Sequence, residues 1–272
     1  MRKITVIVNG LPGKMAQAIA MAIAKSSDLK LLPVSLTGPE VETKEIVIGE
    51  ITVKLFTPDE QLFLLGNHFP DIQVDFTHPG AIKDNVNFYT EMGTPFVMGT
   101  TGGDLDYISA KVKQAGINAV VSPNMAGEIV AFQMMMNWLA SNFPELFKDY
   151  NLTITESHQK TKADTSGTAK AMVEIFNRLG VPFTVDQIDK KRTEDDYYLL
   201  KIPEENWSGH GYHTYSLKKK DGSVDFAFTH NVRGRESYVA NTLSAIRYLF
   251  EKGHEPCSKG EVYSMADVLQ KK

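Results

Sequence analysis

The chain has 272 residues, 42% of them hydrophobic and 23% charged, enough apolar material for two globular domains or one large one. A formal net charge of -4 gives no general attraction to nucleic acid or to an anionic membrane, so any positive site has to be local. The single cysteine, Cys257, excludes an intramolecular disulfide and a multi-cysteine metal site, and no apolar run approaches the roughly 20 residues that span a bilayer.

The amino terminus, "MRKITVIVNG", enters a strand almost at once, with no signal or transit pattern, which points to a cytoplasmic protein with no metal. "GKMAQAIAMAIAK" has apolar residues at helical spacing, so the chain starts strand, tight turn, helix. "LKLLPVSLTG" reads as a second strand weakened by Pro33, and "ITVKLFT" as an extra strand. "DIQVDFTHPG" is a strand stopped by a Pro-Gly signal, "KDNVNFYTEMG" a helix closed by Gly93, and "TPFVMGTTGG" a strand with a glycine-rich exit. "LDYISAKVKQAG" and "INAVVSPN" add a helix and a strand. This alternation predicts an α/β fold, a Rossmann-type doubly wound parallel sheet, over residues 1–127.

From residue 128 the grammar changes. The helix "GEIVAFQMMMNWLASNF" leads to longer strands, and Asp221-Gly222 sits between strand-like flanks as a hairpin turn. Residues 128–235 therefore read as an α+β domain with a mixed or antiparallel sheet. Residues 236–272, opening with the amphipathic "SYVANTLSAIRYLFEKG", are expected to return to the first domain.

The first turn carries Gly10, Gly13 and Ala16, with Pro12 where the usual fingerprint has its second glycine. Gly10 permits the tight turn, Gly13 the approach of a pyrophosphate and Ala16 close helix–strand packing, while the helix start offers N–H donors. A tight turn without a ligand has the same pattern; the strand–helix–strand context favours the dinucleotide. The second strand ends in "VSLTGPE", with Ser35 and Thr37 but no acid before Glu40. Hydroxyls there, with Lys14 in the first helical turn, favour NADPH over NADH, since an acid would select the ribose 2′-hydroxyl. The loops at residues 76–80 and 99–103, with Phe76, Thr77, Gly99, Thr100 and Thr101, lie at strand ends where such sheets bind ligands.

A second constellation is "ITESHQKTKADTSGTAKAMVEIF". If the strand continues, His158, Lys160, Lys162 and Asp164 share one face. Thr165 or Ser166 caps the helix that follows, and the first N–H groups, at Gly167 and Thr168, suit a carboxylate. A proton donor beside an anion seat fits a small acidic substrate that gains a proton as well as a hydride; a solvated charged strand end is the alternative. "THNVRGR" supplies a further cationic patch, with His230, Arg233 and Arg235.

"GLPGKMA", "VDFTHPG", "GTTG", "ESHQKTKADTSGTA", "THNVRGR" and the tail "YSMADVL" together resemble the 4-hydroxy-tetrahydrodipicolinate reductase (dihydrodipicolinate reductase) family over nearly the whole length, and its plant-like branch in particular. The family motif E-x-H-H-x-x-K-x-D matches as Glu156, His158, Gln159, Lys162 and Asp164. The resemblance implies His158 and Lys162 as acid–base residues, and Gln159, Ser166, Gly167, Thr168 and Arg235 as the substrate-binding set. For NADPH, or NADH, it implies Gly10, Pro12, Gly13, Lys14, Met15, Thr37, Phe76, Thr77, Gly99, Thr100, Thr101, Pro123, Asn124 and Met125. It further implies a small dicarboxylate substrate in lysine and diaminopimelate biosynthesis, and a homo-oligomer, tetramer or dimer. Gln159 stands where the common bacterial form has a second histidine, the loop before Ser166 is one residue shorter and lacks a proline, and Met125 replaces an aromatic. The rival readings are another amino-acid-pathway reductase of the homoserine dehydrogenase type and a non-catalytic NADP(H) sensor. An aspartate-semialdehyde dehydrogenase relative needs a nucleophilic cysteine, and Cys257, after the last long helix, is poorly placed for one.

Overall fold

The computed structural model describes residues 2–60, 69–253 and 260–271; Cys257 lies outside them. The chain divides into two compact units, Met1–Gly127 with Ser237–Lys272, and Glu128–Glu236.

The first unit carries strands β1 Ile4–Asn9, β2 Leu29–Leu31, β3 Val34–Leu36, β4 Glu45–Ile48, β5 Ile51–Phe56, β6 Ile72–Asp75, β7 Phe96–Met98 and β8 Ala119–Val121. Its six-stranded sheet runs β13-β8-β7-β6-β1-β2, where β13 is Val262–Tyr263, and every pairing in it is parallel. Parallel neighbours need crossovers, and the helices Lys14–Lys25, Ile82–Glu91 and Leu105–Ala115 supply them. The central strands are buried on both faces, with Asn9, Gln73 and Asp75 as buried polar exceptions, and Ile7, Phe96, Met98 and Ala119 join Val86 and Val112 of the helices in one core cluster.

The single strand expected over "LKLLPVSL" is two. Pro33 has no N–H to donate, and the chain changes sheets there: β2 pairs with β1, whereas β3 pairs with β5 in a separate three-stranded sheet ordered β3-β5-β4. Strands β4 and β13 were not read from the sequence. The first is half of a hairpin turning at Gly49, φ 61°, and the second is a two-residue strand that forms only because β8 offers an edge.

The second unit holds β9 Tyr150–His158, β10 Asp189–Lys191, β11 His210–Lys219 and β12 Asp225–Arg233, ordered β10-β9-β11-β12. β10 is parallel to β9, and the other pairings are antiparallel, so the sheet is mixed. The β11–β12 hairpin turns at Asp221-Gly222. Gly222 takes φ 73°, and the Asp221 carboxylate accepts from Ser223 N and Oγ. The helix Gly167–Arg178 lays Ala169, Met172, Val173 and Phe176 against Ile154 and Tyr215 of the sheet.

Candidate functional site

In the first unit a cavity of about 680 Å³ opens at the carboxyl ends of β1, β3 and β6. Of the residues expected to hold a cofactor, Gly10, Pro12, Gly13, Thr37, Phe76 and Thr77 line it. A Cβ on Gly10, at φ 103°, would lie 2.2 Å from the Phe76 carbonyl oxygen, and one on Gly13 would lie 2.7 Å from the Gly10 carbonyl oxygen. Only glycine allows this turn to close under the start of the helix Lys14–Lys25. A glycine cradle of this shape and volume, ending at Gly13 just before the helix, fits a pyrophosphate.

Lys14, Met15, Gly99, Thr100, Thr101, Pro123, Asn124 and Met125 do not line the cavity. Thr100 instead supports it. Its hydroxyl donates to Asp75 Oδ1 at 2.6 Å and accepts from Thr77 N at 2.9 Å. Asp75, fully buried, also accepts from Asn85 and from the Tyr89 hydroxyl at 2.7 Å, so one carboxylate fixes the exits of β6 and β7. Burial and then the Asp75 charge push the Tyr89 phenol well up, which keeps it a donor. The sequence analysis passed over Asp75 because it stands among apolar strand residues.

Neither hydroxyl at the end of β3 is free for a 2′-phosphate. Ser35 is buried and its hydroxyl donates to the Leu36 carbonyl; Thr37 donates to the Leu11 carbonyl at 2.7 Å. Glu40 lines the cavity and folds its carboxylate over Gly38, 2.3 Å from where a Cβ would sit.

In the second unit β9 ends at His158, so the expected alternation through Asp164 does not continue. The chain turns, with Lys162 N donating to the Gln159 carbonyl at 2.9 Å. The turn is held from β10's end: Arg192 donates to the carbonyls of Lys162 and Glu156 and to the Glu156 carboxylate. Lys162 Nζ pairs with Asp164 at 2.9 Å, and Lys160 is exposed.

Strand register assembles the rest. Glu156 pairs with His213 on β11, which pairs with His230 on β12, while His158 faces Gly211. Successive residues of a strand face opposite sides, so Glu156, His213 and His230 form a polar row across one face. Gly211 leaves room for the imidazole: a Cβ there would lie 3.4 Å from His158 Nε2. Arg235 lies over Gly209 in the same way, 3.5 Å from its would-be Cβ. Ser166 caps the helix Gly167–Arg178 by accepting from Ala169 N at 3.1 Å. Its hydroxyl also shares a hydrogen bond with His213 Nε2 at 2.9 Å, and its N–H donates to Glu156 at 3.1 Å. Ser166 is thus committed beneath the helix start, whereas Gly167 is exposed, with nothing among the described residues within 4 Å of its would-be Cβ.

Glu156 is the charge at the centre of this unit. Burial pushes its carboxyl up, but the His213 imidazole 3.7 Å away and hydrogen bonds from Ser166 and Arg192 outweigh this and hold it well below the usual carboxylate range. Glu156, His158 and His213 bring ligand-type atoms within 4.8 Å of one another. Arg192 and the Ser166 N–H already occupy the carboxylate, which makes the trio a proton-sharing group and a poor cation site. Burial, then the neighbouring His213, lowers His158 to about 3, so its ring is neutral at neutral pH in the free protein. The motif gives Glu156 no role, and neither Arg192 nor His213 is legible in the sequence. Their partners lie 36 and 57 positions away, and no local pattern signals them.

The fold and the glycine cradle define a pyridine-nucleotide-dependent oxidoreductase of the two-unit α/β class. Family models described as dihydrodipicolinate reductase, N-terminus and C-terminus, match residues 4–125 and 111–269. The chain belongs to the dihydrodipicolinate reductase family. It is 40% identical over 270 residues to the probable 4-hydroxy-tetrahydrodipicolinate reductase 1, chloroplastic, of Oryza sativa subsp. japonica, covering 97% of this chain and 78% of that protein. The chloroplastic reductase 1 of Arabidopsis thaliana is also 40% identical, over 98% of this chain and 78% of its own length, and the Methanocaldococcus jannaschii reductase is 29% identical over 98% and 97%. A solved dipicolinate-bound dihydrodipicolinate reductase from Paenisporosarcina sp. TG-14 shares the fold, with a TM-score of 0.67 at 17% identity over 96% of this chain and 97% of that one. Among the described residues no helix is long and apolar enough to cross a membrane.

Proposed function

We propose that this protein reduces 4-hydroxy-tetrahydrodipicolinate to tetrahydrodipicolinate with a reduced pyridine nucleotide, in lysine and diaminopimelate biosynthesis. The observation that carries this reading is that His158 sits beside Glu156 and His213, with His213 bonded to the Ser166 cap of the helix Gly167–Arg178, in a chain whose first unit holds a dinucleotide cradle. When bound, the nicotinamide supplies a hydride to C4 of the ring, from which the hydroxyl has left as water. The electron pair then moves to C3, and His158 gives its proton there. The N–H bond breaks as the C–H bond forms, and the imidazole takes a new proton from solvent at its exposed edge. Lys162 orients one carboxylate by charge, the helix start at Gly167 and Thr168 grips it through backbone N–H groups, and Arg235 pairs with the other. Gln159 adds a neutral amide donor. We further place the enzyme in the cytoplasm as a homo-oligomer; the second unit leaves Trp138, Phe143 and Phe226 exposed, the kind of surface that a second copy covers. Nucleotide absorbance, followed with substrate generated in place by the preceding synthase, tests the reading: no oxidation of either nucleotide removes it.

For the cofactor we keep NADPH, with NADH as the second donor, and infer that Glu40, which lines the cavity, weighs against NADPH and towards NADH. A carboxylate in the cavity accepts from a ribose 2′-hydroxyl and repels a 2′-phosphate. Glu40→Gln is expected to raise the ratio of kcat/KM for NADPH over NADH about tenfold, equivalent to about 1.4 kcal/mol. An unchanged ratio places Glu40 outside the cofactor's reach.

A further inference from the structure

Three imidazoles stand in a row in the second unit, His213 buried and His158 and His230 partly buried. The His158 and His213 rings meet edge-on at 5.1 Å, and the His213 and His230 rings stack at 4.7 Å. Among the described residues the Nδ1 atom of each is buried without a hydrogen-bond partner. One carboxylate serves the row: Glu156 lies 3.9 Å from His158 and 3.7 Å from His213. The other groups facing the row are Arg192 beside Glu156, Lys162 with its partner Asp164 on the turn, and Tyr215, whose hydroxyl shares a hydrogen bond with His230 Nε2 at 3.2 Å. With Arg192 already opposite the carboxylate that serves the row, two charged imidazoles at these distances would leave an uncompensated positive pocket.

We propose that His213 is a positioning residue for the reaction: it competes with His158 for a single proton, and a seated dicarboxylate decides the competition in favour of His158. The proposal rests on the reductase reading, because His158 must be charged to act as the acid and the free protein keeps it neutral. Burial and then His213 lower both His158, to about 3, and His230, to about 4, in agreement with a row that holds one charge at a time. Two carboxylates arriving beside His158 reverse the local field. The proton then resides on the ring that faces the substrate, and His213, bonded to Ser166 under the helix start, relays the seat's occupancy to it. The proton that later leaves for C3 is replaced from solvent, since the His158 side chain is 12% exposed and the His213 side chain 5%.

The ring nitrogens report this without turnover. Nitrogen-15 histidine spectra of the full chain, recorded across roughly pH 3 to 9 with and without pyridine-2,6-dicarboxylate and oxidised nucleotide, are expected to show His158 neutral at neutral pH when free and protonated there when the probe is bound, with His213 neutral in the complex. In His213→Gln, whose amide keeps a hydrogen bond to Ser166, the His158 midpoint should rise by about one pH unit, and the basic limb of kcat/KM should move with it, because one repelling charge is gone. A purely structural His213 would lower kcat and leave both midpoints in place, which overturns the proposal. If that variant does not fold, the wild-type spectra decide alone: His158 and His213 both charged in the complex, or titrating independently, overturn it. Failure of nucleotide oxidation strikes the reductase reading and is measured separately from the ring titrations.

Discussion

His158→Gln lowers kcat by about 10²–10⁴-fold, the range lost when a positioned general acid is removed, while the dissociation constant of the nucleotide stays within twofold, on the order of experimental scatter. Glutamine fills the imidazole's place above Gly211 and still donates a hydrogen bond, but it has no proton to give to carbon. The nucleotide is indifferent because the glycine cradle and the lining of its cavity belong to the first unit, and His158 to the second. Lys162→Ala should lower kcat as well and also raise KM for the dicarboxylate, since it removes the ammonium group that Asp164 holds at 2.9 Å. Steady-state kinetics with the in-place substrate, together with nucleotide titration by fluorescence, separate these effects. A His158→Gln enzyme at near-normal turnover would move the acid elsewhere.

The second large effect is on stability. Arg192→Ala is expected to destabilise the protein by about 3–5 kcal/mol, because it leaves the buried Glu156 carboxylate without its guanidinium partner, with the Ser166 N–H and the nearby imidazoles left beside it. Glu156 is wholly buried, and Arg192 is its main cationic partner as well as the donor to the Lys162 carbonyl. Because each of these contacts holds the turn before Ser166, the loss should appear in substrate KM too. The double variant E156Q/R192A should recover part of the stability, since no bare charge remains. The pH dependence has a definite sign. Glu156, His158 and His230 all lie below their ordinary values when folded, so their contribution is present at neutral pH and above. The histidines lose theirs as pH falls from about 6.5, and Glu156 loses its own below the carboxylate range. Arg192→Ala raises the Glu156 carboxyl and should soften the acid side of this curve. Denaturant unfolding at several pH values measures both, and a loss below about 1 kcal/mol would show that Glu156 does not depend on Arg192.

The amino-acid sequence by itself determined the alternation of strands and helices up to Val121, because a buried parallel strand and an amphipathic helix each write their period into neighbouring residues. The glycine turn, the Ser166 cap and the Asp221-Gly222 hairpin were legible for the same reason: each depends on a few adjacent side chains and a backbone angle. His158 and Lys162 could be picked out as candidates from one short stretch, with the family resemblance beside it. Tertiary structure alone decided what surrounds them. The strand expected to carry Lys160 to Asp164 stops at His158, beyond which β9 has no described ladder partner and Arg192 draws the chain back. Glu40, discounted as too far along the chain, enters the cavity because Gly38 leaves space for its carboxylate. Glu156, His213 and His230 become one row through strand register, a long-range pairing set by the whole sheet that no window of the sequence contains.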